Sequence, residues 1–174
     1  MVDSFKTICT IRDSDFGLEN GDANQYIERH AARAVLVDEN GRIGMIEATK
    51  YGYYKLPGGG VDEGESIEQA LKREVAEEIG YEFKMLAKLG VIREERREFS
   101  QVNLSYGFLC KASKFIGTSL MPDEIDHGFR TKWFNDLDEA ITAVELVKDS
   151  QNIYQVKFFT QRELEFLREA RKYL

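Results

Sequence analysis

Three glutamates, Glu74, Glu77 and Glu78, crowd one short stretch, "REVAEEIG", that reads as helix. Residues three and four apart on a helix are neighbours, and like-charge pairs there cost about 0.2–0.5 kcal/mol each. Something should offset that repulsion, and a bound cation is one candidate. At 3.6 residues per turn, Leu71, Val75 and Ile79 form an apolar stripe. The three carboxylates fall within about 100° of arc beside it. Solvation alone would place them on the outer face, where Gln69 and Lys72 project. A pair of glutamates taken by itself is more often a solvated face, so the surrounding residues must decide.

The elements that would position these groups follow from patterning. Ser66 with Gln69 three residues on starts the helix as a capping box, and Gly80 stops it. Before it, "YGYYKLP" makes a short strand, and Pro57 with Gly58, Gly59 and Gly60 breaks regular structure. Further upstream "FKTICTI" alternates as a strand, and "AARAVLVDENGRIGMIEA" reads as a hairpin with an Asn-Gly turn. Between these, residues 13–24 look like a polar loop. Downstream, "FKMLAKLGVIRE", "QVNLSYGFLCKA" and "FRTKWF" are strand-like. Two helices close the chain, one over about Asp136 to Val144, the other after Thr160 with Glu163 as capping partner. A mixed sheet with helices on both faces, an α/β class, is the expected architecture.

The chain has 174 residues, 43% hydrophobic and 32% charged, enough for one buried core and too short for two comfortable domains. One domain over 1–174 is expected. The net charge of -7 leaves no basic stripe for a nucleic-acid backbone, so no nucleic-acid partner is expected. No apolar run approaches a membrane span, and "MVDSFKTICTIRDSD" lacks the basic and apolar regions of a signal peptide. A cytoplasmic protein without a membrane partner is expected. Cys9 and Cys110, both in strand-like stretches, read as buried reduced thiols rather than a disulfide framework.

From Gly59 onward, the residues Glu65, Arg73, Glu74, Val75, Glu77, Glu78 and Gly80 resemble, position by position, the signature of the Nudix hydrolases. The departure is Tyr81, where the family carries an aliphatic residue in a packing position. The resemblance implies the Nudix fold, a mixed sheet sandwiched between helices. It also implies a MutT-like pyrophosphohydrolase acting on a small nucleotide, a nucleoside diphosphate linked to another group, with Mg2+ or Mn2+ as cofactor. By the same resemblance Glu74, Glu77 and Glu78 hold metal, Arg73 orients these carboxylates, and Glu65 fixes the loop. A surface salt bridge from Arg73 to Glu77 is the plainer alternative. Hard oxygen donors suit Mg2+, and a divalent ion answers the charge that opposes attack of water on a polyanionic diphosphate.

The family's general base is usually a glutamate, in the box or on a loop before a late strand carrying Trp. That loop is "SLMPDEIDHGFRTKWF" here, and Glu124 is the best match, with Asp123, Asp126 and His127 as alternatives. Tyr54 could stack on a base or belong to the core. Gly58 and Gly59 are substrate-side candidates whose main job is conformational, since no Lys-Ser or Lys-Thr pair follows to make a P-loop. Arg33 is a weaker candidate for substrate phosphates. "REERRE", residues 93–98, offers three arginines that could meet phosphates, but interleaved with acids it reads as a solvated strand edge. Nucleoside triphosphates, including oxidised ones such as 8-oxo-dGTP, are the favoured substrates, with ADP-ribose or another nucleotide sugar as the rival. A non-catalytic nucleotide-sensing domain is the alternative of another class, and a homodimer is left open.

Overall fold

The computed structural model describes residues 5–150 and 153–174. One seven-stranded sheet forms the centre, built from β1 (Thr7–Arg12), β2 (Ile27–Val37), β3 (Ile43–Ala48), β4 (Tyr53–Lys55), β5 (Tyr81–Arg96), β6 (Gln101–Phe115) and β7 (Phe129–Phe134). The order is β1-β5-β6-β2-β3-β4, with β7 on the other side of β3. β1 runs parallel to β5 and β2 parallel to β6, while the remaining pairs are antiparallel. The sheet is therefore mixed, as its sequence pattern implied.

The site originates where β2 and β3 part. They pair only through Leu36–Gly44 and Val37–Ile43. Upstream of that contact, β2 turns its free edge to the glycine loop. The Ala34 N–H donates to the Pro57 carbonyl at 2.9 Å, Ala32 to Gly59 at 2.9 Å, and Val61 donates back to His30 at 3.0 Å. Gly58 permits this close approach. Its φ is +139°, and a Cβ there would lie 2.0 Å from the Ala32 carbonyl oxygen.

The helix α1 (Ile67–Ile79) covers one face of the sheet. Ala70, Leu71, Val75 and Ile79 bury their side chains against Ala32, Ala34, Leu36 and Ile46. The alanines of β2 leave room for a close helix, so the carboxylates flanking the apolar stripe are held at the sheet margin. Ser66 and Gln69 complete the expected capping box, at 3.2 and 2.8 Å, and Gly80 takes the left-handed conformation at φ +75°. A cap of this kind contributes roughly 0.5–2 kcal/mol. Tyr81 fills its packing position edge-on to Trp133, with ring centroids 5.6 Å apart.

On the opposite face lie α3 (Leu137–Ser150) and α4 (Tyr154–Ala170), packed through Ala140, Val144, Phe158, Leu164, Phe166 and Leu167 onto Val35, Met45 and Leu109. A short helix, α2 (Pro122–Asp126), precedes β7, with Pro122 at its first turn where a missing N–H costs nothing.

Three sequence expectations are corrected. α4 begins at Tyr154, and Thr160 lies buried inside it. Glu163 is occupied as the ion-pair partner of Arg162 at 2.5 Å and caps nothing. The helix expected to end near Val144 continues to Ser150, because no breaker stands between them. "REERRE" is no solvated edge: β5 lies between β1 and β6, so alternate residues Glu94 and Arg96 turn inward and are buried.

Candidate functional site

Glu74 and Glu78 stand one helical turn apart on α1, and Glu124 meets them from α2. One carboxylate oxygen from each lies within 4.8 Å of the others. The structure thus brings the loop acid to the box helix. Arg73 organises the surrounding acids. Its Nε and one terminal nitrogen donate to the two oxygens of Glu65 at 3.1 and 2.9 Å, and the same terminal nitrogen reaches the Gly60 carbonyl at 3.0 Å. The other terminal nitrogen donates to Glu74 at 2.8 Å and to Glu77 at 3.4 Å. One guanidinium therefore ties loop to helix and aims Glu74, a task suited to its planar fork. Its bonds to Glu65 raise the Arg73 pKa, and Arg73 in turn holds the Glu65 carboxyl below its ordinary value.

Glu78 is only 2% exposed. Burial raises its pKa, opposed by Lys55, whose Nζ donates at 2.5 Å, and by the Gly58 N–H at 2.7 Å. Gly59 matters for a different reason. A Cβ at this position would stand 2.2 Å from a carboxylate oxygen of Glu74, so the missing side chain makes space for that group. Glu77 is not brought into the cluster; its carboxylate turns to Arg73 and its carbonyl accepts from Ser119 N–H at 2.8 Å.

These groups open into a cleft of about 370 Å3 that runs from the carboxylates across Gly58, Gly59 and Gly60 to α4. Arg33, Asp123 and His127 line it as well. Asp126 instead pairs with Lys50 at 2.6 Å on the surface. Tyr54 faces away from the cleft and packs edge-on against Phe134, centroids 5.2 Å apart, which is the core alternative of its sequence reading. Its neighbour Tyr53 lines the cleft instead, together with Lys55, as strand alternation requires. Sequence reading missed Tyr53, Lys55, Phe129, Phe159 and Arg162. Period-two alternation would have paired Tyr53 with Lys55, but nothing in "YYK" says which face looks into the cleft.

Three carboxylates converging on one point, from elements separated by two long strands, offer the hard oxygen donors that Mg2+ or Mn2+ takes. The donor set fits such an ion.

The NUDIX domain family model matches residues 28–169, and the chain belongs to the Nudix hydrolase family. It is 36% identical over 70 residues to a Bacillus subtilis (strain 168) protein named "Putative 8-oxo-dGTP diphosphatase"; the match covers 40% of this chain and about half, 47%, of that relative. Among solved structures it resembles a MutT NUDIX hydrolase from Burkholderia pseudomallei, with TM-score 0.52 and 28% identity, covering 65% of this chain and 86% of the other. The E. coli ORF135 protein shares the fold, with TM-score 0.57 and 19% identity over 88% of this chain and 97% of its own. The α/β Nudix architecture is thereby established, and among the described residues no helix is long and apolar enough to cross a membrane.

Proposed function

We propose that this chain is a divalent-metal-dependent pyrophosphohydrolase of nucleoside triphosphates, oxidised nucleotides such as 8-oxo-dGTP included, working in the cytoplasm as one catalytic unit. The observation that carries this reading is the convergence of Glu74, Glu78 and Glu124 at the mouth of a cleft lined by cations. The Bacillus subtilis relative's name supports the substrate, and the free thiols of Cys9 and Cys110 agree with a reducing compartment. Glu74 and Glu78 would hold Mg2+ or Mn2+ beside Glu124, and the ion would neutralise phosphate oxygens and polarise phosphorus.

The chain's own residues do the rest. Arg73 keeps Glu74 in place, while hydrogen bonds from Lys55 and the Gly58 N–H fix the buried Glu78 carboxylate. Gly58 and Gly59 let the substrate diphosphate approach the backbone. Glu124 has one oxygen held by the Met121 N–H at 2.8 Å, which orients its carboxylate to accept a proton from the attacking water. The water oxygen bonds to phosphorus as the P–O bond bridging the α- and β-phosphates breaks, and the leaving group, one of the two products nucleoside monophosphate and pyrophosphate, departs with the bond's electron pair. Arg33 and Lys55 line its path.

Incubation with a panel of nucleoside triphosphates, 8-oxo-dGTP and ADP-ribose, scored for pyrophosphate, phosphate and monophosphate, tests the reading. A nucleoside monophosphate with pyrophosphate, formed only with a divalent ion, is expected. Release of no product from any member contradicts it.

A further inference from the structure

The cations around the cleft are not equally accommodated. Lys55 has Glu78 at 2.5 Å, and Arg162, at 1% exposure, has Glu163 at 2.5 Å and Glu94 at 3.4 Å. Arg96 has Glu94 at 2.5 Å, and Asn103 and Ser105 complete that carboxylate's hydrogen bonds. Arg29, which also lines the cleft, is exposed and solvated. Arg33 differs from all of these. It is 9% exposed, among the described residues its side chain makes one hydrogen bond, to the neighbouring Ala32 carbonyl at 3.0 Å, and its buried Nε, like that of Arg96, has no partner. Among the described residues no carboxylate forms an ion pair with it.

An uncompensated buried charge costs several kcal/mol. A guanidinium presents five donors in a planar fork that matches phosphate oxygens, and here most of that fork is unused. Its place in the chain explains its aim. Ala32 and Ala34 donate their backbone N–H groups to the glycine loop and turn their side chains to α1, so Arg33 between them points to the α4 side, beyond the loop from Glu74.

We infer that Arg33, flanked by Arg162 and Arg29, forms a second anion subsite of the cleft that takes a further phosphate group of the substrate, beyond the diphosphate held at the carboxylate cluster. This rests on the hydrolase reading above and narrows it: substrates with a third phosphate are selected over nucleoside diphosphates. Burial, reinforced by the charge of Arg162 and partly opposed by Glu163, Glu78 and Glu94, pushes the Arg33 pKa down to about 10, which leaves the group cationic at neutral pH. Glu94 and Glu163 prevent Arg162 from adding an unbalanced second charge.

The test compares the full wild-type chain with Arg33→Gln and Arg33→Lys in two measurements. Inorganic phosphate is titrated calorimetrically into the metal-free protein, and kcat/KM is measured for a nucleoside triphosphate and the matching diphosphate. Arg33→Gln should weaken phosphate binding about tenfold or more and reduce the triphosphate preference by a similar factor, since one charged hydrogen-bonding group is lost. Arg33→Lys should restore part of both. The unfolding temperature of Arg33→Gln should not fall, because an unpaired buried charge has been removed. A destabilised Arg33→Gln protein with unchanged phosphate affinity would show a structural arginine and overturn the subsite. A change in discrimination between bases, with the triphosphate preference intact, would overturn it too. If the wild type hydrolyses no nucleotide, the hydrolase reading fails, and the phosphate titration still decides whether Arg33 binds an anion.

Discussion

Glu78 and Glu124, separated in the chain by all of β5 and β6, bring carboxylate oxygens within 4.8 Å of each other. Two elements make this meeting possible. α1 is seated by its alanine-lined contact with β2, and α2 is anchored by β7, which pairs with β3 from Phe129 to Phe134. A reaction that requires displacement in line needs groups from two directions, and one helix supplies only one of them.

Glu78→Gln should reduce turnover by roughly 10^2-fold or more, since the amide retains the shape and loses the charge that a divalent ion requires. The fold should persist with a modest loss of stability, since Lys55 and the Gly58 N–H donate to different carboxylate oxygens and the single amide oxygen can accept from only one of them. Steady-state rates beside a thermal unfolding curve check both points, and a near-normal rate would remove Glu78 from the site.

A chelator in excess should abolish turnover, and added Mg2+ or Mn2+ should restore it, because the three carboxylates otherwise repel one another at the attack site. Undiminished hydrolysis in chelator would refute the role given to the cluster.

Two adjacent glycines should fail differently. Gly58→Ala places a Cβ 2.0 Å from backbone at Ala32 and holds a side chain at φ +139°, which should cost roughly 1–3 kcal/mol of stability. Gly59→Ala strikes the flexible end of Glu74 at 2.2 Å, so activity should fall more than stability. Denaturant midpoints and rates measured on the pair separate these outcomes; equal losses of stability would contradict the distinction.

Stability at low pH should depend on Glu94. Its neighbours Arg162 and Arg96 overcome burial and bring its pKa from 4.5 to about 2. A carboxyl whose folded pKa is depressed stabilises the fold above its unfolded value and loses that contribution as pH falls toward the folded one. The window is therefore pH 4.5 down to about 2, and the shift corresponds to on the order of 3 kcal/mol. Glu94→Gln should flatten the acid limb of the stability curve and weaken the fold at neutral pH, where Arg162 and Arg96 lose their anion. Urea unfolding at several pH values measures it, and an unchanged acid limb would contradict the assignment.

Much of the site was legible because its signals are local. The capping box at Ser66, the apolar stripe through Leu71, Val75 and Ile79, and the strand "FRTKWF" each follow from neighbours in sequence. Glu124 could be placed by its loop, its acids and the strand after it. What stayed hidden depends on faces and long-range pairing. "YYK" does not reveal that Tyr54 turns to Phe134 while Tyr53 and Lys55 turn to the cleft. The charges of "REERRE" look solvated until β1 and α4 are seen to cover Glu94 and Arg96. Arg162 was missed for the same reason: its partner Glu94 lies far away in the chain.

The measurement that bears most directly on the central claim is the maximal rate of Glu124→Gln at saturating Mg2+ and nucleoside triphosphate. Convergence of Glu124 with the box helix to activate water requires a fall of roughly 10^2- to 10^4-fold, the range of positioned general bases, with an unchanged unfolding temperature. A rate within a few fold of wild type would contradict the account and transfer the role to Asp123, His127 or a glutamate of α1.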